Sequence, residues 1–256
     1  MTGCVTVNRI VALEVCVESA AGAVAAIAGG CDRIELCSAL ALGGLTPSAG
    51  LVAAVLALAS PAGVPVRAMV RPRPGGFAYD DDDLALAIAE ARALAAAGVQ
   101  GLVFGATAGG ALDRATIGRW IAALGPDRPG LTLHRAIDVV DDPVAAVDAA
   151  VALGFDHILT SGGATSAGEG APVIARMVAR AAGRCTIMAG AGVGPGNAAV
   201  LIAATGVSAL HGSASVPNTL IENDRLGFGP LPRITSAATV AALRRAIDDQ
   251  SNIGQL

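Results

Sequence analysis

Two short segments each carry a glutamate and a cysteine two positions apart, namely Glu14 with Cys16 and Glu35 with Cys37. In a β-strand, residues two apart point to the same side. The alternate positions are aliphatic and suit a face covered by helices, so both Glu/Cys pairs are predicted to point into the interior of the fold. Carboxyl groups can exchange protons with a substrate, and thiolates are ligands that soft metals such as Cu(I) prefer. These spacings predict acid/base chemistry or soft-metal binding.

Other ionisable side chains fall at the ends of further apolar segments. Arg71, His134 and His211 each alternate with aliphatic neighbours and are predicted to point inward, and Asp138 follows His134 by four residues. A guanidinium group binds carboxylate or phosphate, and imidazole and carboxylate groups transfer protons. If the protein is an enzyme, the candidate catalytic residues are Glu14, Glu35, His134 and Asp138.

Glycine-rich turns follow the last apolar segments and offer backbone N–H groups to an anion. Together with Arg71, the predicted anion-binding residues are Gly190, Gly192, Gly212 and Ser213. The remaining histidine, His157, has the opposite parity from Thr160 and is predicted to face a helix or solvent, without a role.

The elements that must position these residues alternate between short apolar runs and alanine-rich helical stretches, about eight times. Such alternation in about 250 residues is typical of a closed (β/α)8 TIM barrel, whose active sites lie at the carboxyl ends of the strands. The predicted strands are 10–16, 33–37, 66–70, 101–104, 131–135, 157–160, 186–188 and 209–211. The predicted helices are 19–28, 47–59 with Thr46 as the cap, 80–97, 114–124, 143–153, 172–182, 196–204 and 239–248.

The runner-up fold is an open, doubly wound sheet, which would normally place a Gly-x-Gly-x-x-Gly turn after its first strand. Here the first turn reads Cys-Val-Glu-Ser over residues 16–19. The sequence therefore favours a single barrel domain over residues 1–256, with a C-terminal helical extension at about 236–250.

Composition excludes several classes of protein. All 17 basic residues are arginine, so lysine Schiff bases, pyridoxal phosphate attachment and the P-loop lysine are excluded. The net charge is -4 and no basic stripe is present, which argues against nucleic-acid binding. The apolar stretches are broken by glycine and proline, and the N-terminus does not resemble a signal peptide. No membrane contact and a cytoplasmic location are expected, and no organic cofactor is indicated.

The five cysteines, Cys4, Cys16, Cys31, Cys37 and Cys185, are an odd number in a chain too long to need disulfide bonds for stability. All five are predicted to be reduced thiols. Only Cys16 and Cys37 converge by parity, and the other three are interpreted as buried or incidental.

Several motifs together resemble the copper homeostasis protein CutC family, in order over about residues 13–215. These motifs occupy residues 14–16, 33–37, 43–48, 70–73, 101–105, 134–136, 159–162 and 211–214. The resemblance implies a cytoplasmic (β/α)8 barrel that forms a homo-oligomer, a dimer or tetramer, with a role in copper homeostasis. It also implies Cu(I) ligands at the family's two cysteine motifs, matched here by Cys16 and Cys37.

The residues alone leave alternatives open. One is copper binding by the two inward thiols, and the other is a lysine-independent acid/base enzyme acting on a small phosphate or carboxylate metabolite held by Arg71. A third is a barrel that only oligomerises or binds a partner, which has no sequence feature of its own. Glu14, Glu35 and Arg71 could also form a purely structural ion-pair network at the barrel mouth.

Overall fold

The computed structural model describes residues 11–218 and 233–253. Eight parallel strands close into a barrel with helices outside it, which confirms the predicted (β/α)8 fold. The strands in chain order are β1 (Ala12–Val17), β2 (Arg33–Leu36), β3 (Val66–Met69), β4 (Gly101–Phe104), β5 (Thr107–Ala108), β6 (Ala111–Leu112), β7 (Gly130–Leu133), β8 (His157–Thr160), β9 (Thr186–Ala189), β10 (Ala209–Gly212), β11 (Ser215–Pro217) and β12 (Arg233–Thr235). Two small hairpins, β5–β6 and β11–β12, stand outside the barrel and were not predicted.

The helices follow the barrel strands as expected. They are α1 (Ala20–Ala28), α2 (Ala49–Ala59), α3 (Asp81–Ala97), α4 (Arg114–Leu124), α5 (Pro143–Ala152), α6 (Ala171–Ala181), α7 (Ala198–Thr205) and α8 (Ala237–Ile253). The last of these is the predicted C-terminal helix, and it packs against α1 and α7. None of the helices in the described ranges is long and apolar enough to cross a membrane.

Local chemistry accounts for several helix starts. The Ser19 and Asp80 side chains accept hydrogen bonds from the backbone N–H groups of the first turns of α1 and α3, which satisfies donors that a helix cannot satisfy internally. The prediction that Thr46 caps α2 was wrong, because Ser48 is the cap. Thr46 instead accepts from the Arg71 backbone N–H and donates to Glu90.

The fifth barrel strand is shorter than predicted. It ends at Leu133, and residues Arg135–Val139 form a 3₁₀ turn in which the His134 ring accepts from the Ala136 backbone N–H. The His134 backbone N–H still donates to the Phe104 carbonyl at 3.4 Å, so the pairing with β4 ends at this residue. His134 therefore stands at the rim of the barrel.

The strand register aligns side chains in rows around the barrel. Glu14 on β1 pairs with Arg33 on β2 and with His211 on β10, while Cys16 pairs with Glu35. Aliphatic residues fill the opposite face of these strands and pack under the helices, as at Leu13, Val15 and Ile34, which are fully buried. The parity prediction for the first two strands is therefore confirmed.

A testable consequence concerns the outer layer over β4. Trp120 on α4 is fully buried and stacks on Phe104 with ring centroids 4.4 Å apart. We expect Trp120→Ala to lower the free energy of unfolding by about 3–5 kcal/mol, measured by urea denaturation. The matched control is Arg119→Ala, because this exposed neighbour is expected to change stability by about 0.5 kcal/mol or less. Equal losses in both variants would contradict this packing.

Candidate functional site

A buried carboxylate forms the floor of the candidate site. Glu14 is 1% exposed, and its two oxygens take different partners. One oxygen accepts from Arg33 Nε, and the other lies 2.8 Å from His211 Nδ1. Arg33, Glu14 and His211 form one row of side chains across three strands. The strand register creates this row, because Glu14 pairs with Arg33 on one adjacent strand and with His211 on the other.

Electrostatics make this row a set of alternating charges. Burial alone would raise the pKa of Glu14, but the Arg33 charge and the His211 hydrogen bond outweigh it and lower the pKa to about 2. Burial alone would lower the pKa of His211, but the Glu35 and Cys16 charges and the Glu14 hydrogen bond raise it well above 6.5. Glu14 is therefore a carboxylate and His211 an imidazolium near neutral pH.

Cys16 and Glu35 form the next row of side chains, nearer the carboxyl ends of the strands. His211 Nε2 lies 3.7 Å from Glu35 Oε2. One donor atom from each of Cys16, Glu35 and His211 lies within 4.8 Å of the other two. Burial, with the Glu14 charge as a further cause, raises the pKa of Glu35. Glu35 is thus easier to protonate than an ordinary glutamate, which suits a group that gains and releases a proton.

The second predicted thiol lies in different surroundings. Cys37 is fully buried in an apolar cluster with Met69 and Val103, and its thiol donates to Glu35 at 3.5 Å. Gly44 approaches so closely that a Cβ there would lie 3.1 Å from the Cys37 sulfur. Burial and the charge of Glu35 raise the pKa of Cys37 well above its usual value of 9.0. Cys37 therefore stays protonated.

A cavity of about 310 Å³ opens at the carboxyl ends of the strands, above the buried row. Its lining includes Cys16, Glu35, Arg71, His134 and His211, whereas Glu14 and Cys37, which were also predicted to point inward, do not line it. Small-molecule sites begin at about this size. The cavity can therefore hold a small metabolite.

Three buried polar atoms on the lining residues have no hydrogen-bond partner among residues 11–218 and 233–253. They are Glu35 Oε1, Arg71 Nε and His134 Nε2, and their side chains line this cavity together. An unsatisfied buried polar group costs about 1–3 kcal/mol. Three side chains that line one cavity thus each keep an unused hydrogen-bonding group.

Arg71 carries a positive charge into this cavity. Its terminal nitrogens donate to the backbone carbonyls of Leu42, Gly44 and Gly75, and none of the described carboxylates forms an ion pair with it. The guanidinium carbon lies 5.3 Å from the centre of the Phe77 ring. Neutral carbonyls fix the position of the group without cancelling its charge, so an anionic ligand is favoured.

His134 is a neutral donor beside this charge. Burial and the Arg71 charge lower the pKa of His134 to about 3. Because His134 Nδ1 accepts from the Ala136 N–H at 3.2 Å, the single ring proton is assigned to Nε2. That N–H is the group left without a partner, and it can donate to a ligand.

The predicted glycine turns meet the cavity only in part. Gly192, Gly212 and Ser213 line it, whereas Gly190 does not. The Gly190 N–H continues the strand ladder by donating to Thr160, and a Cβ at Gly190 would lie 2.6 Å from Leu159. Gly190 is therefore required for close packing and does not offer a donor to an anion.

Two of the candidate catalytic residues, Glu14 and Asp138, do not line the cavity, and Asp138 is engaged elsewhere. Its carboxylate accepts from Arg135, Thr160, Ser161 and Gly163. A carboxylate with this many donors has no free lone pair for proton transfer, so Asp138 instead ties the turn after β7 to the turn after β8.

The interpretation of His157 was also wrong. Its Nε2 lies 2.9 Å from Arg33 NH1 and its Nδ1 2.8 Å from Asp156 Oδ1, so the ring joins the polar interior at the amino ends of the strands. Arg67, which was not singled out, donates there to Thr132 and Asp156. These partners come from different strands, and parity within one strand does not reveal them.

Sequence reasoning also missed Phe77. Its ring lies 4.7 Å from the His134 ring, centre to centre, and it lines the cavity. Phe77 follows an irregular proline- and glycine-rich loop, where no periodicity assigns a direction. The available signal was a pair of aromatic residues, Phe77 and Tyr79, in a chain with 2% aromatics.

Fold and site together define a (β/α)8 barrel with an ionisable cavity at its carboxyl end. The CutC family model matches residues 11–216. The chain belongs to the CutC family.

Relatives and a solved structure agree with this assignment. A family protein CutC from Caulobacter vibrioides is 46% identical over 243 residues, covering 93% of this chain and 97% of the relative. One from Sinorhizobium medicae is 44% identical over 247 residues, covering 94% and 97%. A Streptococcus agalactiae crystal structure, described as a copper homeostasis protein CutC, has a TM-score of 0.75 at 30% identity and covers 79% of this chain and 98% of its own.

The buried neutral histidine predicts a pH dependence of stability. An unfolded histidine titrates near 6.5 and folded His134 near 3, so the unfolded state binds more protons as pH falls between these values. Stability is then lost at about 1.4 kcal/mol per pH unit. Between pH 6.5 and 5, we expect the free energy of unfolding, measured with urea, to fall by about 2 kcal/mol less in His134→Gln than in wild type. Equal losses in the two proteins would contradict a neutral His134.

Proposed function

We propose that the cavity binds a small anionic metabolite, bearing a carboxylate or phosphate group, and catalyses a proton-transfer reaction on it. The observation that carries this proposal is that three side chains lining one cavity, Glu35, Arg71 and His134, each have a buried polar atom without a hydrogen-bond partner among the described residues. A donor with positive charge, a neutral donor and a carboxyl acceptor are complementary to a small oxygen-rich molecule.

Each residue has a distinct part in this proposal. Arg71 attracts and orients the anion, and His134 Nε2–H donates to an oxygen on which negative charge develops, as a neutral imidazole does without surrendering its proton. Glu35 exchanges the proton, because burial raises its pKa above that of an ordinary glutamate and makes the carboxyl group better able to hold a proton and pass it on. Glu14 acts indirectly, since its two oxygens are occupied by Arg33 and His211.

Backbone donors extend the anion site. Neither Gly192 nor Ser213 has an acceptor for its N–H group among the described residues, and both line the cavity after the last two barrel strands. Loops at this position present N–H groups to phosphate in many barrels of this kind. They are therefore suited to a phosphate or a second carboxylate.

Thermal unfolding with inorganic phosphate or succinate tests this binding. At about 100 times the dissociation constant, either anion is expected to raise Tm by about 5–10 °C. Arg71→Ala should abolish the shift and His134→Phe should weaken it, while Arg119→Ala should keep it. If no small phosphate or dicarboxylate gives an Arg71-dependent shift, the proposal is wrong. For any metabolite that does, turnover should disappear in Glu35→Gln.

Copper handling is the second candidate function, supported by the family's association with copper homeostasis and by the convergence of Cys16, Glu35 and His211. The donor chemistry fits Cu(I) poorly, because this ion prefers sulfur ligands and only one of the three donors is sulfur. Cys37 does not join that group, and its thiol is held protonated among apolar side chains. The geometry thus gives the predicted Cys16 and Cys37 pair little support.

Anaerobic Cu(I) titration against a competing chelator separates the two candidates. If the two thiols bind copper, Cys16→Ala and Cys37→Ala should each weaken binding strongly, by about 10-fold or more, whereas the matched Cys185→Ala should not. If the anion proposal alone is right, all four proteins, including wild type, should bind copper equally weakly.

We further propose a cytoplasmic location and a homo-oligomer, a dimer or tetramer. The expected location rests on the reduced thiols and on the sequence features described above, and the oligomer rests on the family resemblance.

A further inference from the structure

Cys16 differs from the other described cysteines in its access to space. It lines the 310 Å³ cavity and also a neighbouring hollow of about 460 Å³, and the two share Leu40 and Ser213. Cys31, Cys37 and Cys185 line neither. A molecule in the cavity can therefore reach the Cys16 sulfur.

The surroundings of Cys16 have the arrangement of an activated nucleophile. The thiol sulfur lies within 4.8 Å of a nitrogen of the His211 ring, and that ring is held by Glu14, with 2.8 Å between His211 Nδ1 and Glu14 Oε1. A nucleophile, a base and a carboxylate that orients the base form the arrangement shared by unrelated triads. Arg33 fixes the carboxylate in turn.

The strand register preorganises this arrangement. Glu14 and Cys16 are two apart on β1, and Glu14 pairs with His211 on β10. All three side chains are thus set by hydrogen-bonded barrel strands, and positions fixed by rigid elements hold a catalytic geometry better than loops do.

We propose that Cys16, His211 and Glu14 form a nucleophilic triad that hydrolyses an activated acyl group, an ester or thioester of a small carboxylic acid that carries a second anionic group. This inference rests on the proposed function, because Arg71 would hold the anionic group of the same substrate. It adds a covalent step and assigns Cys16 as the catalytic nucleophile.

The chemistry balances without a further reactant. The Cys16 thiolate attacks the acyl carbon, a C–S bond forms, and the bond to the leaving group breaks as His211 gives that group a proton. Water then attacks the acyl carbon, gives a proton to His211, and the C–S bond breaks to regenerate the thiolate and release the acid. The Ser213 N–H, next to the residue paired with Val15, is available to the oxyanion in both steps.

Mono-p-nitrophenyl succinate is a suitable probe, because it joins a carboxylate to an activated acyl group. We expect wild-type protein to release a burst of about one p-nitrophenolate per chain, as an acyl-enzyme accumulates. Intact mass after acid quenching should increase by one succinyl group, located on Cys16 by peptide mapping. Cys16→Ser and Cys16→Ala should show neither signal, and His211→Asn should slow the burst by about 10²–10⁴-fold.

Cys185→Ala is the matched control and should keep the full burst, since that thiol lies at the amino end of β9. Thermal unfolding of each variant establishes that it is folded before its burst is compared. An adduct that persists in Cys16→Ser, or that maps elsewhere, overturns the inference. If wild type forms no adduct but still shows the Arg71-dependent rise in Tm with phosphate, the assignment of Cys16 as nucleophile is wrong and the anion proposal stands. If wild type forms the adduct but phosphate does not raise Tm, the anion proposal alone is wrong.

Discussion

The buried Glu14 carboxylate is the interaction on which the rest of the interior depends. An unpaired charge in such a place would cost several kcal/mol, and this one is held between Arg33 and His211 on the two adjacent strands. The same pairing fixes the His211 ring and keeps it charged. Removing either partner would take away one of the two cations that stabilise this buried carboxylate, so strand register and site electrostatics constrain each other.

Above and below this row, the barrel interior satisfies its polar groups to different degrees. At the amino end, Arg67 and His157 find partners in Thr132, Asp156 and Arg33. At the carboxyl end, atoms of Glu35, Arg71 and His134 are left without one. A protein built only for stability would close both ends in the same way, because each unsatisfied buried group is a cost. The asymmetry separates the part of the interior that holds the fold from the part that meets a ligand.

Much of this could be predicted from the sequence, because strand parity has a period of two and acts locally. It placed Glu14, Glu35 and His211 correctly, and the alternation of elements gave the barrel. What it could not give was the partner of each group. Asp138 and His157 were misjudged because their bonds reach across to other strands and turns. Those contacts depend on how a loop closes, which no periodic pattern encodes.

The two thiols show why a shared motif does not make a shared site. Cys16 and Cys37 each follow a glutamate by two residues and both point inward, yet one meets His211 and open space while the other meets Met69, Val103 and the close backbone of Gly44. Burial among apolar side chains raises the pKa of the Cys37 thiol and keeps it protonated and inert, whereas the Cys16 sulfur lies within 4.8 Å of the His211 ring. The neighbouring strand therefore determines the chemistry of each thiol. β10 places His211 beside Cys16, whereas β3 places Met69 beside Cys37.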